Sequence, residues 1–77
     1  MDKLNLSFSR ILKKRRENLK LTQEELAARC DVSRNFISLL ETGESLPSLP
    51  VLFTIANELE TTPENLIKQA RLGLVKK

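Results

Sequence analysis

The sequence predicts an all-α fold of five short helices, and three observations predict it. Apolar residues recur at helical spacing, as in Phe8, Ile11 and Leu12, or Leu52, Ile55, Ala56 and Leu59. A capping residue stands before each apolar segment, at Ser7, Thr22, Ser33, Ser48 and Thr62. Strand signals are missing, with no alternating β-branched run and no hairpin dipeptide of the Asn-Gly kind. At 77 residues, 40% hydrophobic and 30% charged, the chain suits one compact domain spanning 1–77. A domain of this size buries only about 60% of its unfolded surface, so its own core is modest and a partner subunit would add to it.

Residues 1–6 are expected to form a frayed arm, with Leu4 and Leu6 available to the core or to a partner. Ser7 is the expected cap of a first helix over 8–18, with Phe8, Ile11, Leu12 and Leu19 on one side and basic residues on the others. Thr22 followed by Glu25 is a capping box, in which the hydroxyl accepts the Glu25 amide proton and the carboxylate accepts that of Thr22. A second helix therefore starts at Gln23 and buries Leu26, Ala27 and Cys30. Asp31 and Val32 make a turn, Ser33 caps a third helix over 34–41, and Gly43 stops it in the left-handed conformation. After a loop, Ser48 caps a fourth helix over 49–59, with Pro50 tolerated in its first turn and Leu52, Phe53, Ile55, Ala56 and Leu59 as its apolar set. Thr62-Pro63 opens a fifth helix over 63–70, with Leu66 and Ile67 turned inward.

Charge narrows the function. Thirteen basic against ten acidic residues leave a net charge of +3, and six of the thirteen (Arg10, Lys13, Lys14, Arg15, Arg16 and Lys20) fall between positions 10 and 20. Clustered positive charge of this kind attracts duplex phosphates, although a solvated helix face has the same composition. Cys30 is the sole cysteine and there is no histidine. An intramolecular disulfide and a Cys/His zinc site are thereby excluded, and no cofactor or metal is expected. The first ten residues lack the apolar run of a signal peptide and no segment approaches a membrane span, so a cytoplasmic chain without a membrane partner is expected. Only Gly43 and Gly73 are available for a phosphate-cradling loop, which with the missing histidine argues against an enzyme. Three Phe and no Tyr or Trp offer little for stacking single-stranded bases.

From Phe8 to Leu66 the chain resembles the phage repressor and Cro-type (XRE family) helix-turn-helix proteins, and within them most closely the controller proteins of restriction-modification systems. The matching elements are LTQEELA at 21–27, VSRNFIS at 32–38, LE-x-G at 40–43, PSL at 47–49 and IA-x-x-L at 55–59. The resemblance implies a lambda-repressor-like fold with its helix-turn-helix core at 22–41. It also implies sequence-specific binding to a pseudo-palindromic double-stranded DNA operator, with the third helix in the major groove. Arg34 and Asn35 then occupy the first base-reading positions. The Arg fork matches guanine O6 and N7, and the Asn amide matches adenine N6 and N7 or takes a phosphate instead. Ser38 lies one turn on, close to a base or phosphate. Leu39 meets a thymine methyl or packs on the rim of the core.

For phosphate binding the resemblance implies Gln23, aided by the positive end of its helix, with Thr22, Arg16, Phe36 and Thr42 as further candidates. Arg16 and Glu41 match a pair that bridges the first and third helices, which makes Glu41 structural rather than catalytic. Relatives often carry basic residues after the third helix, whereas this chain has Thr42, Glu44, Ser45 and Leu46. Either that loop turns away from DNA or binding leans on Gln23 and the first helix. A homodimer is implied through the region of about 53–75, with Phe53, Leu66, Ile67, Leu72, Leu74 and Val75 at the interface; the alternative for these side chains is the chain's own core. Such a dimer reads half-sites about 34 Å apart and regulates transcription by blocking RNA polymerase (repressor) or contacting it (activator). An antitoxin-type protein-interaction module with autoregulatory DNA binding is the competing reading.

Overall fold

The computed structural model describes residues 2–75 and contains five helices: α1 (Lys3–Asn18), α2 (Gln23–Cys30), α3 (Arg34–Thr42), α4 (Leu49–Glu58) and α5 (Pro63–Val75). Among the described residues there is no strand, and no helix is long and apolar enough to cross a membrane. Thr22, Ser33 and Ser48 cap α2, α3 and α4 through side-chain oxygens that accept the amide protons of Glu25, Phe36 and Val51. At α2 the box closes in both directions. Its hydrogen bond from the Thr22 N–H holds the Glu25 carboxyl below the usual range, so this support is present at neutral pH and fades on acidification.

The helices leave their ends by a shared route that sequence reading recognises only once. Lys20, Asp31, Gly43 and Glu60 all have φ between 56° and 84°. The residue after each donates its N–H to a carbonyl five positions back: Leu21 to Arg16, Val32 to Ala27, Glu44 to Leu39 and Thr61 to Ala56, at 2.9–3.2 Å. This is the Schellman closure of α1 to α4. Glycine marks it in α3 alone; the other three turns carry Lys20, Asp31 and Glu60, of which aspartate enters this region most readily.

Two boundaries differ from the sequence expectation by more than one residue. Residues 3–7 are helical rather than a frayed arm, since the Asp2 side chain accepts the Leu4 amide proton at 2.7 Å and caps α1 five residues early. Ser7 is therefore not a cap. It lies buried inside α1 and donates its hydroxyl to the Ala70 carbonyl at 2.7 Å. At the other end α5 continues to Val75, packed along α1, with Gly73 where the two helices approach closely. A Cβ there would lie 2.5 Å from Ser7 Oγ.

All five helices contribute to one core, centred on Leu12, Leu26, Ile37, Leu40, Ile55, Leu59 and Leu66. Cys30 belongs to it, and burial pushes its thiol up to about 11, so it is protonated at neutral pH. The α5 assignments separate here. Leu66 and Ile67 are expected together, inward or at a dimer interface, but Leu66 is 0% exposed and belongs to the chain's own core, whereas Ile67 is 51% exposed. Adjacent helix positions stand about 100° apart, and on α5 the core takes Leu66 with Ala70 one turn on, leaving Ile67 outside it. Phe53 likewise faces outward at 58%, leaving the inner face of α4 to Leu52, Ile55 and Ala56.

Leu66→Ala should therefore destabilise the fold by about 2–5 kcal/mol in urea denaturation, through lost transfer energy and a residual cavity. Ile67→Ala should fall near the surface norm of about 0.5 kcal/mol. Equal effects of the two substitutions would contradict this division of α5.

Candidate nucleic-acid interface

The buried face of α3 is set by Ile37 and Leu40, which pack against α1 and α2, so Arg34, Asn35 and Thr42 are left exposed and Ser38 and Leu39 half-buried. Asp31 in the left-handed conformation reverses the chain after α2, and Val32 packs against the core, fixing α3 against α2. The first turn of α2 and the first turn of α3 are thereby neighbours.

A chain of hydrogen bonds joins those two turns to α1. Arg16 is nearly buried and donates from Nε and Nη2 to the two carboxylate oxygens of Glu41, at 2.7 and 3.0 Å, and from Nη1 to the Leu21 carbonyl at 2.7 Å. The paired side chains are 9% and 3% exposed. The bond to Glu41 holds the Arg16 guanidinium above its ordinary pKa, against the opposing effect of burial, so it stays charged throughout the neutral range. Gln23 continues the chain: its Nε2 donates to Glu41 at 3.1 Å, and its Oε1 accepts from Arg34 Nη1 at 3.1 Å. Arg34 Nε also faces Glu24 Oε2 at 3.8 Å, with both side chains more than half exposed. The exposed arginine of α3 is thus connected to the buried arginine of α1 through one amide and one carboxylate.

This geometry sorts the expected phosphate contacts. Arg16 has given three hydrogen bonds to Glu41 and Leu21 and is shielded from solvent, which makes it a structural anchor rather than an open cation. Phe36 has no free donor, because its amide is held by Ser33 Oγ at 3.0 Å and its ring packs half-buried against the core. Thr42 bonds back into its own helix, donating to the Leu39 carbonyl at 3.1 Å. Thr22 uses its N–H and one hydroxyl lone pair in the capping box and keeps its hydroxyl proton. Gln23 keeps one amide proton beside the α2 N-terminus, where the first backbone N–H groups of a helix have no intrahelical acceptor.

The basic cluster of α1 also divides. Arg10, Lys13, Lys14 and Lys20 are exposed, Arg16 is buried in its ion pair, and Arg15 donates to Gln69 of α5 at 3.2 Å. The loop after α3 folds back on that helix, with the amides of Glu44 and Ser45 both donating to the Leu39 carbonyl. Leu46 and Pro47 then line an apolar groove of about 260 Å³ with Leu4, Phe8, Leu52 and Ile67. Of the remaining expected interface side chains, Leu72 and Leu74 are about half exposed, while the side chain of Val75 lies outside the described residues. Among the described residues no group of His, Cys, Asp and Glu is arranged to hold a metal ion.

Glu24 and the bridging role of Gln23 are absent from the sequence reading. Their contacts join positions 10–18 apart across a turn, a separation that neither helical periodicity nor a local motif encodes. The capping box marks where α2 begins but gives no sign of what its first side chains touch.

Comparison with known proteins agrees with this geometry. The helix-turn-helix family model HTH_3 matches residues 12–66. No curated protein matches the chain by sequence. Among solved structures, the chain is similar to the clp gene regulator ClgR from Corynebacterium glutamicum, with a TM-score of 0.87 over 92% of this chain and 76% of that one; at 24% identity the likeness shows the fold alone. It is similar to a mutant of the restriction-modification controller protein C.Esp1396I, with a TM-score of 0.87 and 25% identity over 97% and 100% of the two chains. The restriction-modification controller protein C.AhdI from Aeromonas hydrophila gives 0.76 and 28% over 79% and 92%. Hydroxypropylphosphonic acid epoxidase from S. wedmorenis reaches 30% identity and 0.74 over 80% of this chain, but only 33% of that enzyme is covered, so the likeness extends to one part of it.

Removing the carboxylate with Glu41→Ala leaves a buried, uncompensated guanidinium and should cost about 3–5 kcal/mol in urea denaturation at neutral pH. A loss below about 1 kcal/mol, the value of an exposed pair, would show that the bridge does not hold α3 in place.

Proposed function

The chain belongs to the HTH_3 helix-turn-helix family, and from that premise we propose that it is a sequence-specific double-stranded-DNA-binding transcription regulator that binds a pseudo-palindromic operator as a homodimer. The observation that carries this reading is Arg34: a guanidinium exposed in the first turn of α3, next to the N-terminus of α2, on a helix whose opposite face is locked into the core. With α3 in the major groove, Arg34 reads guanine, Asn35 reads adenine or takes a phosphate, Ser38 contacts a base or phosphate, and Leu39 lies against a thymine methyl. Gln23, Thr22 and the α2 N-terminus hold a phosphate, whereas the Thr42 hydroxyl stays with the Leu39 carbonyl. The exposed cations of α1 supply the longer-range attraction. The chain has no catalytic role in this reading and acts by blocking or contacting RNA polymerase.

The homodimer is assigned to Phe53, Ile67, Leu72 and Leu74, with Leu66 excluded by its place in the core. Apolar side chains exposed on both α4 and α5 support it, as does the need of a small core for added buried area. The likeness to C.Esp1396I and C.AhdI supports service as the controller of a restriction-modification system.

Arg34→Ala should weaken binding to a selected operator by about 1–3 kcal/mol and relax preference at one base pair of each half-site, read by gel shift on a panel of single-substitution operators. Full discrimination by this variant would remove Arg34 from the reading surface. Ile67→Asp should shift the chain to monomer in sedimentation velocity and weaken operator binding more than binding to a single half-site. A monomeric parent protein would refute the dimer assignment.

A further inference from the structure

Arg34 is held from two sides by neighbouring residues of the α2 first turn. Gln23 Oε1 accepts its Nη1 proton at 3.1 Å, and the Glu24 carboxylate stands 3.8 Å from its Nε. Gln23 is oriented by the buried pair behind it, because its Nε2 donates to Glu41. Glu24 is different. It is exposed, it has no part in the core, and it places an acid beside the side chain expected to enter a polyanion.

We propose that Glu24 is a specificity-determining residue that converts Arg34 from a general phosphate binder into a base reader, by pairing its charge while leaving guanidinium donors free. The inference rests on the DNA-binding function proposed above. Its physical basis is that the two kinds of DNA contact depend on different properties of an arginine. Attraction to phosphates depends on net charge and sets the sequence-independent affinity. A guanidinium next to a carboxylate carries little net charge as seen from a distance, so that attraction falls. Bidentate reading of guanine O6 and N7 depends on directed N–H groups at short range. Arginine has five N–H donors, and Gln23 and Glu24 face only one Nη1 proton and Nε, leaving three on Nη1 and Nη2. The carboxylate therefore lowers binding to arbitrary duplex more than it lowers binding to the operator. Glu24 also sits in the first turn of α2, where a negative charge favours the helix, so it is accommodated there without loss to the fold.

The test compares the parent chain, Glu24→Gln, Arg34→Ala and the double variant. Each is titrated at one fixed salt concentration against a selected operator, the operator changed at the base pair that Arg34→Ala relaxes, and a duplex of unrelated sequence. Glu24→Gln keeps the size and helix position of the side chain, and an unchanged far-UV circular dichroism spectrum with a single cooperative melt checks that the fold is intact. We expect it to tighten binding to unrelated duplex several-fold while changing operator binding less, so that the ratio of the two falls by about 2–5-fold, the scale of an exposed ion pair. In the Arg34→Ala background the same substitution should move operator and unrelated duplex equally.

Equal tightening on all three duplexes with Arg34 present would overturn the proposal and reduce Glu24 to a contribution to overall charge. So would a fall in the ratio that persists without Arg34. If Arg34→Ala leaves discrimination intact, the base-reading role of Arg34 fails and this inference fails with it. That outcome is distinguished from the others by the single variant alone.

Discussion

The arrangement of this protein depends on one buried ion pair. Arg16 of α1 and Glu41 of α3 meet in a two-bond fork, and the third bond of Arg16 reaches the Leu21 carbonyl, just past the Schellman turn that ends α1. Three segments are tied by one side chain. The pair is not an obvious source of net stability, because removing two charges from water offsets much of their attraction. Its effect is specificity of position: an apolar contact at the end of α3 would tolerate sliding or rotation, whereas a bidentate fork defines both distance and plane.

Position matters because of what lies on the other side of Glu41. Its Oε1 accepts protons from both Arg16 and Gln23, and Gln23 in turn accepts one from Arg34. The order along this chain runs from the interior to the surface, from side chains below 10% exposure to an arginine more than half exposed. Arg34 is therefore restrained through partners that are themselves restrained. Arg34 has the long, flexible stem of any arginine, and the contacts with Gln23 and Glu24 narrow its range before any partner is bound.

Much of this was legible along the chain. The helix starts at Thr22, Ser33 and Ser48, the glycine stop at Gly43, and the apolar periodicity of α2 and α3 are local facts, because a cap needs only a side-chain oxygen within three residues of the amide it serves. The Arg16–Glu41 bridge and the outward place of Arg34 were accessible through resemblance to the helix-turn-helix family. Less accessible were the early cap at Asp2, the left-handed turns at Lys20, Asp31 and Glu60, and the facing of Leu66 against Ile67. In each case the local signal was weak or divided. Asp2 and Ser7 are both acceptable caps, and two adjacent aliphatic residues on a helix do not declare which one faces inward.

The sequence by itself determined the number and order of the helices, the turn between α2 and α3, and the chemical types available for reading DNA. These follow from propensities and capping that act over a few residues. Only the tertiary structure decided which side chains remain free for a partner. It withdrew Arg16, Phe36 and Leu66 into bonds or packing, left Phe53 and Ile67 exposed, and brought Glu24 and Gln23 against Arg34. The physical reason is that burial and pairing depend on where distant segments meet, and a helix two turns long carries no record of the neighbour it will pack against.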